Sequence, residues 1–304
     1  MISIICPVYN EQHSIRQFII CIKDLMLLNK VDYELLFIDD GSEDKTLDII
    51  EAEKAHTPNI RAVSFSRNFG KEAALTAGLK FAKGEAVIPI DVDMQDPPEL
   101  IIDLINEWKR GAQIVLAKRV DRSSDTLLKR CTAKAFYYMH NKLSAHKIPE
   151  NVGDFRLMGR VVVDHINSLP ETQRFMKGLF SWVGFKSSTI HYTRPCRENG
   201  ESKFTFWKLW NLALEGITSF STLPLKIWTY IGVCIALLSF CYGVFIITLA
   251  LLSGIDVPGY SSLIVIILFL GGVQLIGIGI LGEYIGRIYM EAKKRPLFII
   301  EREL

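Results

Sequence analysis

From Ile227 to Ile255 the chain carries no Asp, Glu, Lys or Arg for 29 residues, and from Val257 to Gly282 there is none for 26. A bilayer core of about 30 Å is crossed by roughly 20 apolar residues in a helix rising about 1.5 Å per residue, so either run is long enough to span it. Helices buried in a soluble core seldom run so far without a charge. The one charge between the runs is Asp256, beside Pro258 and Gly259, a composition that turns a chain. The C-terminal third is therefore expected to be a transmembrane hairpin: a first span over 226–254, a short turn over 255–262 and a second span over 263–286.

The flanks set its expected orientation. Lys226 precedes the first run, Arg287, Lys293, Lys294 and Arg295 follow the second, and the turn has no basic residue. The positive-inside rule then puts the N-terminal bulk and a basic tail, 287–304, in the cytoplasm, with the turn outside. Met1-Ile-Ser-Ile-Ile-Cys6-Pro7 lacks a charged leader and breaks at Pro7, so no signal peptide is expected. Gly271, Gly272, Gly277, Gly279 and Gly282 suit close helix contact within the hairpin or with another subunit. Ahead of it, 204–225 sets Phe204, Phe206, Trp207, Trp210, Leu214, Ile217 and Phe220 among Lys203 and Lys208. Such a segment is either an amphipathic helix lying in the interface or an ordinary core-facing helix.

Residues 1–203 read differently. Over the whole chain Lys plus Arg number 35 against 33 Asp plus Glu, a net charge of +2, so no basic excess points to nucleic acid. With 49% hydrophobic and 22% charged residues the chain is not disordered. The six cysteines are scattered without a C-x-x-C pair, which is neither a disulfide framework nor a zinc site. Ile2–Val8, Tyr33–Ile38, Ile60–Phe65, Ala86–Ile90 and Ile114–Ala117 are short apolar runs that read as buried strands. Ser14–Leu28, Thr46–Ala55, Glu72–Ala82 and Glu99–Arg110 carry the helix period between them. Alternation of this kind predicts an α/β fold, a mostly parallel sheet with helices on both faces.

Ligands of such sheets sit beyond the carboxyl ends of the strands. Polar and acidic segments stand there: Pro7-Val-Tyr9-Asn10-Glu11, Asp39-Asp40-Gly41-Ser42-Glu43-Asp44, Ser66-Arg67-Asn68-Phe69-Gly70-Lys71 and Asp91-Val-Asp93-Met-Gln95-Asp96-Pro97-Pro98. G-x-x-x-x-G-K-[ST] does not occur, and G-x-G-x-x-G follows none of these strands, its one match being Gly277–Gly282 inside the second apolar run, which leaves out a Rossmann dinucleotide site and a P-loop. In an extended run Asp91, Asp93 and Gln95 face one side and present hard oxygens suited to Mg²⁺ or Mn²⁺, with substrate phosphates completing the shell. A cap for the helix begun by Pro97-Pro98 explains Asp96 well and Asp91 poorly. Asp39 and Asp40 are open to two readings, a capping turn or an acceptor for a nucleobase edge.

Taken in order, Pro7-Val-Tyr9-Asn10-Glu11, Asp39-Asp40-Gly41-Ser42-x-Asp44, Asp91-x-Asp93-x-Gln95-Asp96-Pro97 and Gly153-Asp154-Phe155-Arg156-Leu157 resemble the family 2 glycosyltransferases of GT-A (Rossmann-like) fold. The set looks like the branch that loads a sugar onto a polyprenyl phosphate, most closely the bactoprenol glucosyltransferases of O-antigen modification (GtrB type) and more distantly dolichol-phosphate mannose synthases. Ser66–Lys71, Phe175-Met-Lys-Gly178, Gly200–Lys203, Trp207–Ser221 and Leu281–Tyr289 are similar to that group, so the resemblance spans about Ser3 to Pro296.

The resemblance implies that Pro7, Tyr9, Glu11, Asp39 and Asp40 bind the nucleotide, with Lys71 and Arg197 at its diphosphate. It implies Asp91, Asp93 and Gln95 as ligands of Mg²⁺ or Mn²⁺, Asp93 thereby sharing in catalysis, and Asp154 as the catalytic carboxylate. Arg119 and Arg130 match residues that receive the acceptor phosphate. Relatives often carry Ser four residues after the second arginine; here Lys134 stands there and serves phosphate as a point charge. Arg122 and Lys129 add to the same basic set.

The implied reaction is inverting transfer of a hexose, glucose from UDP-glucose, to undecaprenyl (bactoprenyl) phosphate at the cytoplasmic leaflet of the bacterial inner membrane. A homo-oligomer such as a tetramer, a separate flippase and a downstream transferase for O-antigen or lipopolysaccharide modification are the implied partners, with no nucleic acid. GDP-mannose, UDP-GlcNAc and a UDP-aminoarabinose derivative are the alternative donors. A processive polysaccharide synthase would bring a Gln-x-x-Arg-Trp element, which is missing. A membrane-anchored nucleotide-sugar-binding scaffold would not need the full carboxylate set.

Overall fold

The computed structural model describes residues 1–120, 149, 151–172, 174–193, 223–253 and 259–304. The strands are β1 (Ile2–Val8), β2 (Tyr33–Asp39), β3 (Ile60–Phe65), β4 (Ala86–Pro89), β5 (Ile114–Arg119), β6 (Val152–Gly159), β7 (Ser187–Tyr192) and β8 (Ile300–Glu303). The helices are α1 (Ile15–Leu28), α2 (Thr46–His56), α3 (Lys71–Phe81), α4 (Leu100–Lys109), α5 (Arg160–Ser168), α6 (Met176–Trp182), α7 (Leu223–Ser253) and α8 (Tyr260–Ala292). All eight strands form one sheet in the order β7-β5-β6-β4-β1-β2-β3-β8.

β1 runs parallel to β2 and β4, β2 to β3, and β5 to β7. β6 lies antiparallel between β4 and β5, and β8 antiparallel against β3. The sheet is mostly parallel, and β1–β5 and α1–α4 begin and end within a few residues of the stretches marked out by apolar period.

Those strands are legible because both faces are covered. Every residue of β2 is buried, and so is every residue of β1 except Pro7. On one face Ile4 and Phe37 pack with Phe18 and Ile22 of α1 and with Leu104 of α4; on the other Ile5, Leu36 and Ile38 pack with Ala74 and Leu75 of α3. Each fully buried Ile or Phe contributes about 1.5–3 kcal/mol, whereas an exposed pair such as Arg16–Glu53 contributes about 0–1 kcal/mol. The core, not surface charge, holds the sheet.

At the end of the sheet away from the acidic loops lies a buried carboxylate. Glu34 accepts from the Ser3 hydroxyl and the Lys83 N–H, and from Arg61 at 2.9 Å. Burial alone would raise its pKa; these donors together hold it below the ordinary value.

The tail expected over 287–304 is divided. α8 continues to Ala292, and Ile300–Glu303 is a strand of the sheet rather than a free basic segment. Backbone hydrogen bonding to β3 outweighs the charge of Glu301, Arg302 and Glu303, because an edge strand keeps those side chains in water. α7 and α8 meet at Trp228, whose indole fills the place that a side chain at Gly277 would need. Among the described residues one stretch, Phe269–Ala292, is long and apolar enough to cross a membrane, with mean hydropathy 1.4. The segment 204–222 and the turn around Asp256 lie outside the described residues.

Candidate active site

The acidic segments of the sequence gather at one end of the sheet because β1, β2, β3 and β4 all point their carboxyl ends there. β6 runs the other way, so its beginning, not its end, reaches the same edge. The β4–β6 register pairs Ala86 with Gly159 and Val87 with Met158; continued along both chains it brings Asp91 level with Asp154. Pro7, Asp91, Asp96 and Asp154 line one small pocket with Leu75, Pro89, Ile90 and Phe155.

The loops after β1 and β2 are stitched together. The Asn10 N–H donates to Ser42 Oγ at 2.9 Å, and Asn10 Oδ1 accepts from the Glu43 N–H at 2.9 Å. The Glu11 N–H donates to Thr46 Oγ1 and the Glu11 carboxylate accepts from the Ser14 hydroxyl. Tyr9 is exposed beside them. Asp39 is buried and accepts from the Ser42 N–H at 3.1 Å and the Ser64 hydroxyl at 2.8 Å. A carboxylate offers about four lone pairs, so these bonds leave it further capacity.

Asp40 serves the neighbouring loop. It is buried, and its carboxylate accepts the N–H groups of Phe69 at 2.6 Å and Gly70 at 2.9 Å. Burial raises its pKa, and the two backbone donors oppose that rise. The close approach needs glycine: Gly41 has φ +68°, and a Cβ there would lie 2.5 Å from the Arg67 carbonyl carbon. Gly70, at φ +97°, then turns the chain into α3.

Lys71 is the first residue of α3, and its ammonium joins the site. Nζ donates to Asp91 Oδ1 at 2.7 Å and Oδ2 at 2.8 Å, and lies 3.2 Å from Asp154 Oδ2. Burial works against the charged amine, but the two carboxylates win and raise its pKa. Asp91 is pushed above the ordinary range by burial and by Asp154 and Asp93, with Lys71 opposing. Asp154 goes the other way: burial is overcome by Lys71, Lys177 and Arg156, which hold it below the ordinary range and ionised. Cys6, buried beneath Asp91, is kept a thiol by burial first and that carboxylate second.

The extended run expected over 91–95 is instead a turn. Met94 has φ +54°, and the Gln95 N–H closes onto Asp93 Oδ1 at 3.2 Å. Asp93 is exposed while Val92 is buried, so the turn tucks an apolar side chain under the acidic pair. Among the described residues no group of three or more His, Cys, Asp or Glu side chains could hold a metal ion by itself. The hard oxygens of Asp91 and Asp93 do fit an ion that takes one or two protein carboxylates and completes its shell with phosphate and water, the habit of Mg²⁺. The ammonium of Lys71 against Asp91 marks the place as one that accepts positive charge.

A second cluster lies alongside. The Tyr192 hydroxyl donates to Asp96 Oδ1 at 2.6 Å and accepts from Arg119 Nε at 3.3 Å. Burial, with Asp96 beside it, pushes the Tyr192 pKa up to about 12, so it remains a donor at working pH. Arg119 is thereby fixed at the end of β5. Arg197, Arg122, Lys129, Arg130 and Lys134 lie outside the described residues.

Three contributors escaped the sequence reading. Tyr192 sits on a strand whose burial alternates, and nothing local marks its partner 96 residues away. Lys177 belongs to the Phe175–Gly178 segment, whose resemblance to the family assigns it no role, and its charge acts on Asp154. Glu72 accepts the Met176 N–H at 2.8 Å and so anchors the start of α6 beside Asp154.

Glycosyl transferase family 2 matches residues 3–166, and the family described as GtrB C-terminal hairpin matches 223–288. The chain is 57% identical over 302 residues to the bactoprenol glucosyl transferase of Shigella phage SfV, covering 99% of this chain and 98% of that one. It is 56% identical to the prophage bactoprenol glucosyl transferase homolog of Escherichia coli, covering 99% and 98%. It is 42% identical to the putative glycosyltransferase CsbB of Bacillus subtilis, covering 99% and 91%. Glucosyl-3-phosphoglycerate synthase from Mycobacterium tuberculosis, crystallised with Mn²⁺, UDP and phosphoglyceric acid, is similar at TM-score 0.48 and 21% identity, covering 72% of this chain and 76% of that one. An α/β sheet of this topology, acidic strand ends and matches along nearly the whole chain lead to one statement: this protein belongs to glycosyltransferase family 2.

Proposed function

We propose that the chain transfers glucose from UDP-glucose to a polyprenyl phosphate at the cytoplasmic face of a bacterial inner membrane, inverting the anomeric carbon and releasing UDP. The meeting of Asp91, Asp154 and Lys71 at the strand ends carries this reading, and relatives named bactoprenol glucosyl transferases at 57% identity support it.

An acceptor phosphate oxygen bonds to the anomeric carbon as the bond to the diphosphate oxygen breaks, and the electron pair leaves with UDP. A phosphate monoester with second pKa near 6 is already mostly dianionic at neutral pH, so it needs no strong base. Asp154, held ionised, orients Lys71 rather than collecting a proton. Lys71 brings fixed positive charge to the departing diphosphate, joined by Arg197. Asp91, Asp93 and Gln95 would hold Mg²⁺ or Mn²⁺, which supplies Lewis-acid neutralisation of the leaving group. Arg119, steadied by Tyr192, faces the acceptor phosphate with Arg130 and Lys134. Pro7, Tyr9, Glu11, Asp39 and Asp40 form the nucleotide side.

The same reading makes 1–203 cytoplasmic, 204–225 interfacial and the two helices a hairpin. What supports it is the sheet itself: β1 and β8 share it, so the helices between them cross a bilayer an even number of times or not at all. Lys293, Lys294 and Arg295 then lie on the catalytic side, as positive residues do in the cytoplasm. A homo-oligomer, with flipping and onward transfer of the lipid-linked sugar by other proteins, completes the proposal.

Purified full-length protein given radiolabelled UDP-glucose, Mg²⁺ and polyprenyl phosphate should yield label that extracts into organic solvent. No extractable label from this donor, GDP-mannose or UDP-GlcNAc would end the transferase reading.

A further inference from the structure

The end of α8 touches the catalytic domain next to the site. The Glu291 carboxylate accepts the Thr172 N–H at 2.9 and 3.1 Å, at the head of the segment whose Met176 N–H is held by Glu72. The chain then turns back and enters the sheet. The Ser66 N–H donates to the Ile299 carbonyl at 3.0 Å, β8 pairs with Val63, Ser64 and Phe65, and Leu304 and Ala62 exchange backbone bonds at 2.8 and 3.0 Å.

The side chains extend this contact toward Lys71. Phe298 stacks on Phe65 with ring centroids 4.9 Å apart and an interplanar angle of 10°. Phe65 in turn meets Phe69 edge-on at 5.8 Å. Phe69 and Gly70 hang from Asp40, and the next residue is Lys71. Both flanks of this lysine therefore rest on residues that follow or end the last helix: one through Phe298, Phe65 and Phe69, the other through Glu291 at Thr172 and Glu72 at Met176.

We propose that residues 291–304 are a positioning element for Lys71, fixing the loop that delivers its ammonium to Asp91 and Asp154 and so linking the pose of α8 to binding of the donor diphosphate. This rests on the reading of that edge as a nucleotide-sugar site. Among the described residues neither Phe298 nor Glu291 pairs with Lys71, Asp91 or Asp154; each acts through the loops it holds.

The test uses the full chain in lipid nanodiscs. UDP affinity is measured by calorimetry, donor and acceptor KM by lipid-linked product, and folding by thermal unfolding. Phe298→Ala should weaken UDP and raise donor KM by about fivefold to tenfold, the scale of a lost aromatic pair, with acceptor KM unchanged and Phe298→Tyr restoring both. Glu291→Gln, which removes charge but no packing, should shift donor KM in the same direction without a change in melting temperature.

The deciding comparison is a double-mutant cycle. In a Lys71→Met background, Phe298→Ala should have no further effect on UDP affinity, because groups that act through one another are not additive. Additive losses, or equal losses for donor and acceptor, would overturn the proposal. If wild-type protein binds no UDP, the nucleotide-site reading falls instead.

Discussion

Lys71 Nζ bridges Asp91 and Asp154, so one ammonium neutralises carboxylates that arrive from strands of opposite direction. A divalent ion at Asp91 must compete with it, and the diphosphate that accompanies the ion offers Lys71 a new anionic partner. Metal and nucleotide should therefore bind with positive coupling. Lys71→Met should tighten Mn²⁺ binding in the absence of nucleotide and lower sugar transfer by about 10²-fold or more, the scale of losing one donor to a developing anion. Paramagnetic titration with Mn²⁺ reads the first effect and the product assay the second. Unchanged Mn²⁺ affinity would show that amine and metal use different oxygens.

Asp154 is held below the ordinary carboxylate range, with Lys71, Lys177 and Arg156 outweighing its burial. Its charge is then constant across working pH, and the acid limb of kcat/KM belongs to the acceptor phosphate, with a break at about pH 6. The break should persist at the same pH in Asp154→Asn, although the rate is lower throughout. A pH–rate profile of both proteins checks this; an acid limb lost with the carboxylate would make Asp154 the titrating base.

The Tyr192 hydroxyl joins Asp96 and Arg119, which also pair directly at 3.9 Å. Tyr192→Phe keeps the ring and removes one donor from a buried carboxylate, a loss of about 1–3 kcal/mol. Acceptor KM should rise with little change in donor KM, since Arg119 loses the hydroxyl's support and keeps the ion pair to Asp96, while the Lys71 side is untouched. Initial rates with each substrate varied in turn distinguish this from an equal rise in both.

Glu34 gives the fold an acid-sensitive element far from the site. Its folded pKa lies below the unfolded value of about 4.3, so its contribution is fully present above that value and is lost as pH falls through the lower folded pKa. Glu34→Gln should lower the melting temperature at pH 7, and the gap to wild type should narrow steadily below about pH 4. A gap independent of pH would mean that shape, not charge, is what the site requires.

Much of the catalytic domain is written in its sequence because β1–β5 are covered on both faces and appear as unbroken apolar runs. β6 escapes that test: Gly153, Asp154 and Arg156 interrupt it, and only a motif drew notice to the segment. β8, with charged residues at three of its four positions, looks like a solvated tail and reveals itself only through pairing with β3. The site shows the same division. Carboxylates at strand ends stand out individually, since nothing in a strand calls for them. Their meeting depends on β6 slipping between β4 and β5, and that neighbourhood has no local signature. The turn at Met94 was likewise hidden, because a positive φ at a methionine is dictated by the surrounding loop and not by the residue.

β3 is made early in synthesis, yet the strand that closes its open edge emerges more than two hundred residues later, after both long helices. During translation that edge waits, with unpaired backbone groups in search of a partner. The sheet is completed only once the intervening helices have left the ribosome and found their own surroundings. Biogenesis is thus ordered by topology: the final strand can join β3 beside Phe65 only after α7 and α8 have been made.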